Sequence, residues 1–247
     1  MKQSKLIFII PLLFVSSYSQ AGWQDTLNQV SNVLDKSKGT QLGQSEIVAG
    51  LKEALAKGVE KAVASLGKKN GFLGNQLVQI DLPDGVKSAA KIARGLGQGK
   101  KVDSFITSMN RAAEQAVPNS ANLLGDAIRK MSVADGMKIL NGGDTAATNY
   151  FRKVSSKSLK AQFLPIVKKA TDKVGVTQQY KQIAGQATGL LGGFMGKSSK
   201  NTLDLDRYVT NKSLDGLYKY IAIEEKAIRA NPMQAGSKLL AKVFGGK

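Results

Sequence analysis

Apolar residues recur at spacings of three and four along nearly the whole chain, which leaves little choice of architecture. That is the period of amphipathic helices. Trp23, Leu27, Val30 and Leu34 make one such stripe. Ile47, Leu51, Ala54, Leu55, Val59, Ala62, Val63 and Leu66 make a longer one, behind Ser45 as the expected N-cap. Further helices are predicted over 86–96, 102–117 and 121–131, the last behind Pro118-Asn119-Ser120. A short helix follows a Ser132–Asp135 capping box. Asp144 is expected to cap 145–154. Helices over 158–174, 204–230 and from Pro232 to about 244 complete the chain, with 176–195 helical at first and then dissolving into glycines. Pro165 is expected to kink the 158–174 helix or to mark its first turn. Only Val78-Gln79-Ile80-Asp81-Leu82 alternates at period two. A lone strand has no partner, so an extended connector entering a helix at Pro83 is preferred. The expectation is all-α: a single compact multi-helix domain over 22–247, of about nine or ten helices, with at most one short extended segment near 78–82.

The first residues read as a secretory signal. Lys2 and Lys5 precede an apolar run from Leu6 to Val15, and Ser19-Gln20-Ala21 offers small residues to a signal peptidase. Cleavage between Ala21 and Gly22 is expected, with delivery to the periplasm or the exterior. The apolar run of about ten residues is too short for a span, which needs roughly 20. No other stretch is long and apolar enough, so no transmembrane span is expected in the mature chain.

Composition narrows the chemistry. The 247 residues include neither Cys nor His. Disulfides, thiolate metal sites, cysteine nucleophiles, Ser-His-Asp triads and His-ligated metals are thereby excluded. No metal site and no cofactor is expected. Carboxylates, amines and hydroxyls remain.

The formal charge of +18 is unevenly spread. Within 152–200 ten Lys and Arg face a single acid, Asp172. On a helical wheel Lys157, Lys160, Lys168, Lys169 and Lys173 oppose Leu159, Phe163, Ile166, Val167, Ala170 and Val174. This basic face suits an anionic surface, such as lipid head groups or an envelope polymer, or else is simply solvated. Nucleic acid is the weaker partner, because aromatic stacking platforms are missing there.

Three short motifs fail on inspection. Gly196-Lys197-Ser198 lacks the earlier glycine and the strand of a phosphate-binding loop. Gly95-Leu96-Gly97-Gln98-Gly99 lies between helices and reads as a loop. Asp204-Leu205-Asp206 lacks the later ligands and the glycine of a calcium loop. The glycine-rich apolar segment 184–200 is read as flexible and is too short to span a membrane. Among carboxylates, Glu114 lies within reach of Arg111 and Asn110 on one helix face, and Glu224 and Glu225 lie near Arg229. Ion pairing accounts for both groups. Glu114 or Glu225 as general acid/base of a hydrolase is the enzymatic alternative.

Several segments together resemble DUF4197, a bacterial family of unknown function. They are Gly50-Leu51-Lys52-Glu53-Ala54-Leu55, Asn110-Arg111-Ala112-Ala113-Glu114-Gln115-Ala116, Ala146-Ala147-Thr148-Asn149-Tyr150-Phe151-Arg152, Asp206-Arg207-Tyr208-Val209-Thr210 and Glu224-Glu225-Lys226-Ala227-Ile228-Arg229. The likeness runs in order from Ile47 to Phe244. It implies an exported, mainly helical protein of Gram-negative-type bacteria, and brings no activity or catalytic residue. The sequence thus leads to a non-enzymatic exported protein that binds an anionic or amphiphilic envelope partner, whether lipid, polymer or protein. A carboxylate-based hydrolase and a nucleic-acid-binding protein are the alternatives. A small-molecule pocket, if present, is expected from Arg111, Glu114, Thr148, Arg152 and Tyr208.

Overall fold

A computed structural model of the protein describes residues 43–173 and 204–232. The described residues are helical with no strand. In chain order the helices are α1 (Gln44–Gly67), α2 (Asp84–Gly95), α3 (Gly99–Ala116), α4 (Ser120–Arg129), α5 (Val133–Leu140), α6 (Ala146–Lys173) and α7 (Leu205–Ala230), with a 3-10 turn, Val117–Asn119, between α3 and α4. The nine or ten expected helices are not found among the described residues. Two of them, 145–154 and 158–174, are the single helix α6. The expected helices over 23–36, 176–195 and 233–244, the signal segment 1–21 and the glycine-rich segment 184–200 lie outside the described residues.

The apolar stripes of all seven helices meet in one buried cluster, which runs from Val48 to Ile228. Helix α7 packs against α6, α1 and α3 and so sits at the centre of the assembly. Gly216 lets it approach the 68–83 connector, since a Cβ there would stand 2.7 Å from the ring of Phe72. Gly136 does the same for α5, where a Cβ would stand 2.5 Å from the side chain of Val48. No helix among the described residues is long and apolar enough to cross a membrane.

The 78–82 segment is a connector without a strand, as expected, and it starts from a turn in which the Val78 and Gln79 N–H groups donate to the Asn75 carbonyl. Val78, Ile80 and Leu82 are buried while Gln79 and Asp81 are exposed, which explains the period of two. Its backbone pairs with a side chain in place of a strand. Asn110 of α3, fully buried, accepts from the Ile80 N–H and donates to the Ile80 carbonyl, each at 2.8 Å. One amide side chain thus reproduces a two-bond strand pairing and leaves no buried backbone group of Ile80 without a partner.

Three expected caps are replaced. Gly43 stands at the N-cap of α1, and the Glu46 carboxylate accepts its N–H at 3.0 Å, so Ser45 falls inside the first turn. Ser120 donates its hydroxyl to the Val117 carbonyl instead of capping α4. Asp144 does not serve α6, whose first turn is capped from α7 as described below. The Ser132–Asp135 capping box of α5 and an Asp204 cap on α7 are present, with Asp135 N–H to Ser132 Oγ at 3.1 Å and Arg207 N–H to Asp204 Oδ1 at 2.9 Å.

Candidate functional site

Two buried carboxylates organise the polar interior. Glu225 of α7, 3 % exposed, reaches the N-terminus of α6. Its Oε1 accepts from Ala147 N–H at 2.8 Å, and its Oε2 from the N–H and hydroxyl of Thr148, both at 2.8 Å. Arg229, one turn on, pairs with Oε1 at 3.0 Å and also donates to the Ile139 carbonyl at the end of α5 at 2.7 Å. A carboxylate at a helix N-terminus is favoured twice over, by the unpaired amides and by the helix dipole. The motifs Ala146-Ala147-Thr148 and Glu224-Glu225 are therefore two halves of one clasp. Glu224 points elsewhere, to Lys61 of α1 at 2.8 Å. The charged flank at Glu224-Glu225 keeps its expected ion pair with Arg229 and is buried against α1 and α6.

Glu114 of α3 forms the second clasp. Its Oε1 accepts from the N–H groups of Phe72 and Leu73, each at 3.1 Å, and its Oε2 meets Arg111 at 2.5 Å. Arg111 also donates to Asn70 Oδ1 at 2.8 Å, where the backbone takes φ of 67°. Asn110, Arg111 and Glu114 together fasten the 68–83 connector onto α3, and only Arg111 and Glu114 pair within the helix.

The remaining residues singled out in the sequence are held separately. Arg152 lies 4.5 Å from the ring centre of Tyr218, with Asp215 at 3.3 Å. Tyr208 donates its hydroxyl to the Asp81 carbonyl at 2.9 Å. Burial, and then the Asp81 carboxylate, hold that phenol above the usual tyrosine range. Thr148 serves Glu225. Of the five residues expected to line a pocket, Arg111 and Glu114 share a cleft, and Thr148, Arg152 and Tyr208 do not line it.

That cleft has a volume of about 1050 Å³ and lies where the C-terminal half of α6 passes the ends of α1 and α3. Gly67, Pro118, Pro165, Ile166 and Ala170 supply apolar lining, and Lys69, Arg111 and Lys169 supply positive charge. A neighbouring hollow of about 570 Å³ shares Pro118, Asn119, Pro165 and Ile166 with it and extends along α6 past Ala161 and Ala121. The two form one groove.

Helix α6 also presents the basic face. Lys157, Lys160, Lys168 and Lys169 are exposed, and none makes an ion pair among the described residues. The side chain of Lys173 lies outside the described residues. At about 100° per residue, Lys157, Lys160 and Lys168 fall within roughly 80° of arc, and Lys169 turns away from them into the groove. No group of three acidic residues suited to a metal ion occurs among the described residues.

The family model for Protein of unknown function (DUF4197) matches residues 41–245. The chain belongs to this family. No curated protein and no solved structure matches it.

Within this DUF4197 chain the sequence motifs that carried the resemblance are mostly clasps between elements. The groove is not legible in the sequence, because its walls come from residues that read as punctuation or as core. Pro118 and Pro165 read as helix ends and kinks, and Ile166 and Ala170 as part of a buried stripe. Ile166 and Ala170 are only partly buried. The available signal was the basic Lys68-Lys69 pair directly after α1, which broadens the charge of α6 into a second element.

Proposed function

We propose that this DUF4197 protein is an exported, non-enzymatic helical protein that docks on an anionic envelope surface through the basic face of α6. The carrying observation is the row of Lys157, Lys160 and Lys168, exposed and without carboxylate partners among the described residues. A structural ion-pair network would have matched these amines with acids; a docking face keeps them free. The secretory signal at 1–21 supports delivery to the envelope. The engagement of Glu114 and Glu225 by backbone amides and arginines supports binding over hydrolysis, because both carboxylates already serve as connectors.

Each lysine near an anionic membrane contributes about 1 kcal/mol, so the three of this row contribute roughly 3 kcal/mol at low salt. Co-sedimentation of the chain from Gly22 with phosphatidylglycerol-containing and purely phosphatidylcholine vesicles tests this. Binding is expected to the former alone, to weaken as salt shortens the Debye length, and to vanish when Lys157, Lys160 and Lys168 become glutamate. Equal binding to neutral vesicles, or no binding to anionic ones at low salt, would sink the reading.

A further inference from the structure

We infer that the groove between α6 and the α3–α4 junction binds a single anionic amphiphile, with its acyl chain along α6 and its head group at Lys69 and Lys169. The inference rests on the anionic, amphiphilic partner proposed above and adds a separate place for it.

Two observations converge on this occupant. First, the groove is polarised. Pro118, Pro165 and Ile166 are common to both of its hollows and make a continuous apolar floor. The cations Lys69, Arg111 and Lys169 gather at one end only. A ligand with a chain and one charged end matches that division; a uniformly polar ligand would waste the floor, and a neutral oil would leave Lys69 and Lys169 unmatched among the described residues. Second, the charge balance at that end favours an anion. Among the described residues Glu114 is the one acid there, and it is 5 % exposed with its oxygens engaged by Phe72, Leu73 and Arg111. Three cations against one committed carboxylate leave net positive charge facing the cleft, carried by two exposed lysines. The volume of about 1050 Å³ lies at the upper end of the range for small-molecule pockets, as an elongated ligand requires.

Lys157 and Lys160 take no part in the groove, so surface docking and amphiphile capture separate experimentally. The probe is dodecyl phosphate, titrated calorimetrically into the chain from Gly22 below the micelle concentration. Saturable binding of one molecule per chain is expected. Dodecyl maltoside, which keeps the chain and removes the charge, and inorganic phosphate, which keeps the charge and removes the chain, are each expected to bind at least roughly tenfold more weakly. Ile166→Trp, which fills the floor, and Lys69→Glu with Lys169→Glu, which reverses the rim, are expected to weaken dodecyl phosphate by a similar factor, with unchanged circular dichroism. Lys157→Glu with Lys160→Glu should leave this binding intact while lowering vesicle binding. Failure of vesicle binding with retained dodecyl phosphate binding would remove the docking reading and keep the groove. Absence of dodecyl phosphate binding, or binding untouched by both groove variants, overturns the inference. So does a dimer in sedimentation equilibrium that Ile166→Trp dissociates, since the groove would then belong to a second copy.

Discussion

At the scale of single residues, two neighbouring glutamates of α7 show how burial sets the value of a charge. Glu225 is enclosed, and its loss strands the amides of Ala147 and Thr148, the Thr148 hydroxyl and part of the Arg229 guanidinium. Removing one partner of a buried pair costs about 3–5 kcal/mol. Glu224 holds Lys61, whose side chain is 66 % exposed, so water replaces much of what is lost. Such a pair contributes about 1 kcal/mol at most. Chemical denaturation is therefore expected to show Glu225→Ala lowering the midpoint severely and Glu224→Ala only slightly. Equal losses would mean that the cap on α6 contributes nothing beyond an ordinary ion pair.

At the scale of elements, α6 shows both what the sequence discloses and what it hides. Helices α1, α3 and α7 were legible because each keeps its apolar stripe on one side. Helix α6 buries Phe151, Ser155, Leu159, Phe163, Val167 and Thr171, each four residues after the last. A strict spacing of four drifts by about 40° per step on a helix of 3.6 residues per turn. The buried face therefore winds round the helix by roughly 200° from Phe151 to Thr171. Read on a flat wheel, that winding looks like two helices with different faces, separated at Ser155-Ser156. The serines pass through the helix because their hydroxyls donate back to the carbonyls of Phe151 and Arg152, and both meet Tyr218. The caps were less legible for a related reason. Glu225 caps α6 from 78 residues away in sequence, and no local pattern announces that. The groove stayed hidden because a stripe that leaves the core, as at Ile166 and Ala170, looks in sequence like one that stays in it. Pro165 sits inside α6, where an interior proline costs about 3 kcal/mol through its missing N–H and its ring. Pro165→Ala restores the donor to the Ala161 carbonyl. A rise in melting temperature of several degrees is expected, with weaker dodecyl phosphate binding as the groove loses a wall. A fall in melting temperature would show that the packing of the proline ring outweighs the hydrogen bond.

At the scale of the whole molecule, the last described helix holds the earlier ones together. Helix α7 caps α6 through Glu225, holds the end of α5 through Arg229, meets α1 through Glu224 and Lys61, and seats Phe72 against Gly216. Its own buried face, including Val209, Leu214, Leu217, Tyr218 and Ile221, belongs to the same cluster as α1 and α3. Helices α1 to α6 can form locally, because their periods are local, although α6 then lacks the cap that Glu225 supplies from α7. Their mutual packing cannot be completed without α7. A chain ending at residue 203 is therefore expected to retain far-ultraviolet helical signal, to lose its cooperative thermal transition and to bind a dye that reports exposed apolar surface. Adding a 204–232 peptide in trans should restore a cooperative transition, and the same peptide carrying Gly216→Val should not, since a side chain there meets the ring of Phe72. If the shortened chain melts as sharply as the whole one, the core is complete in 43–173, and α7 is an addition to a fold that did not need it.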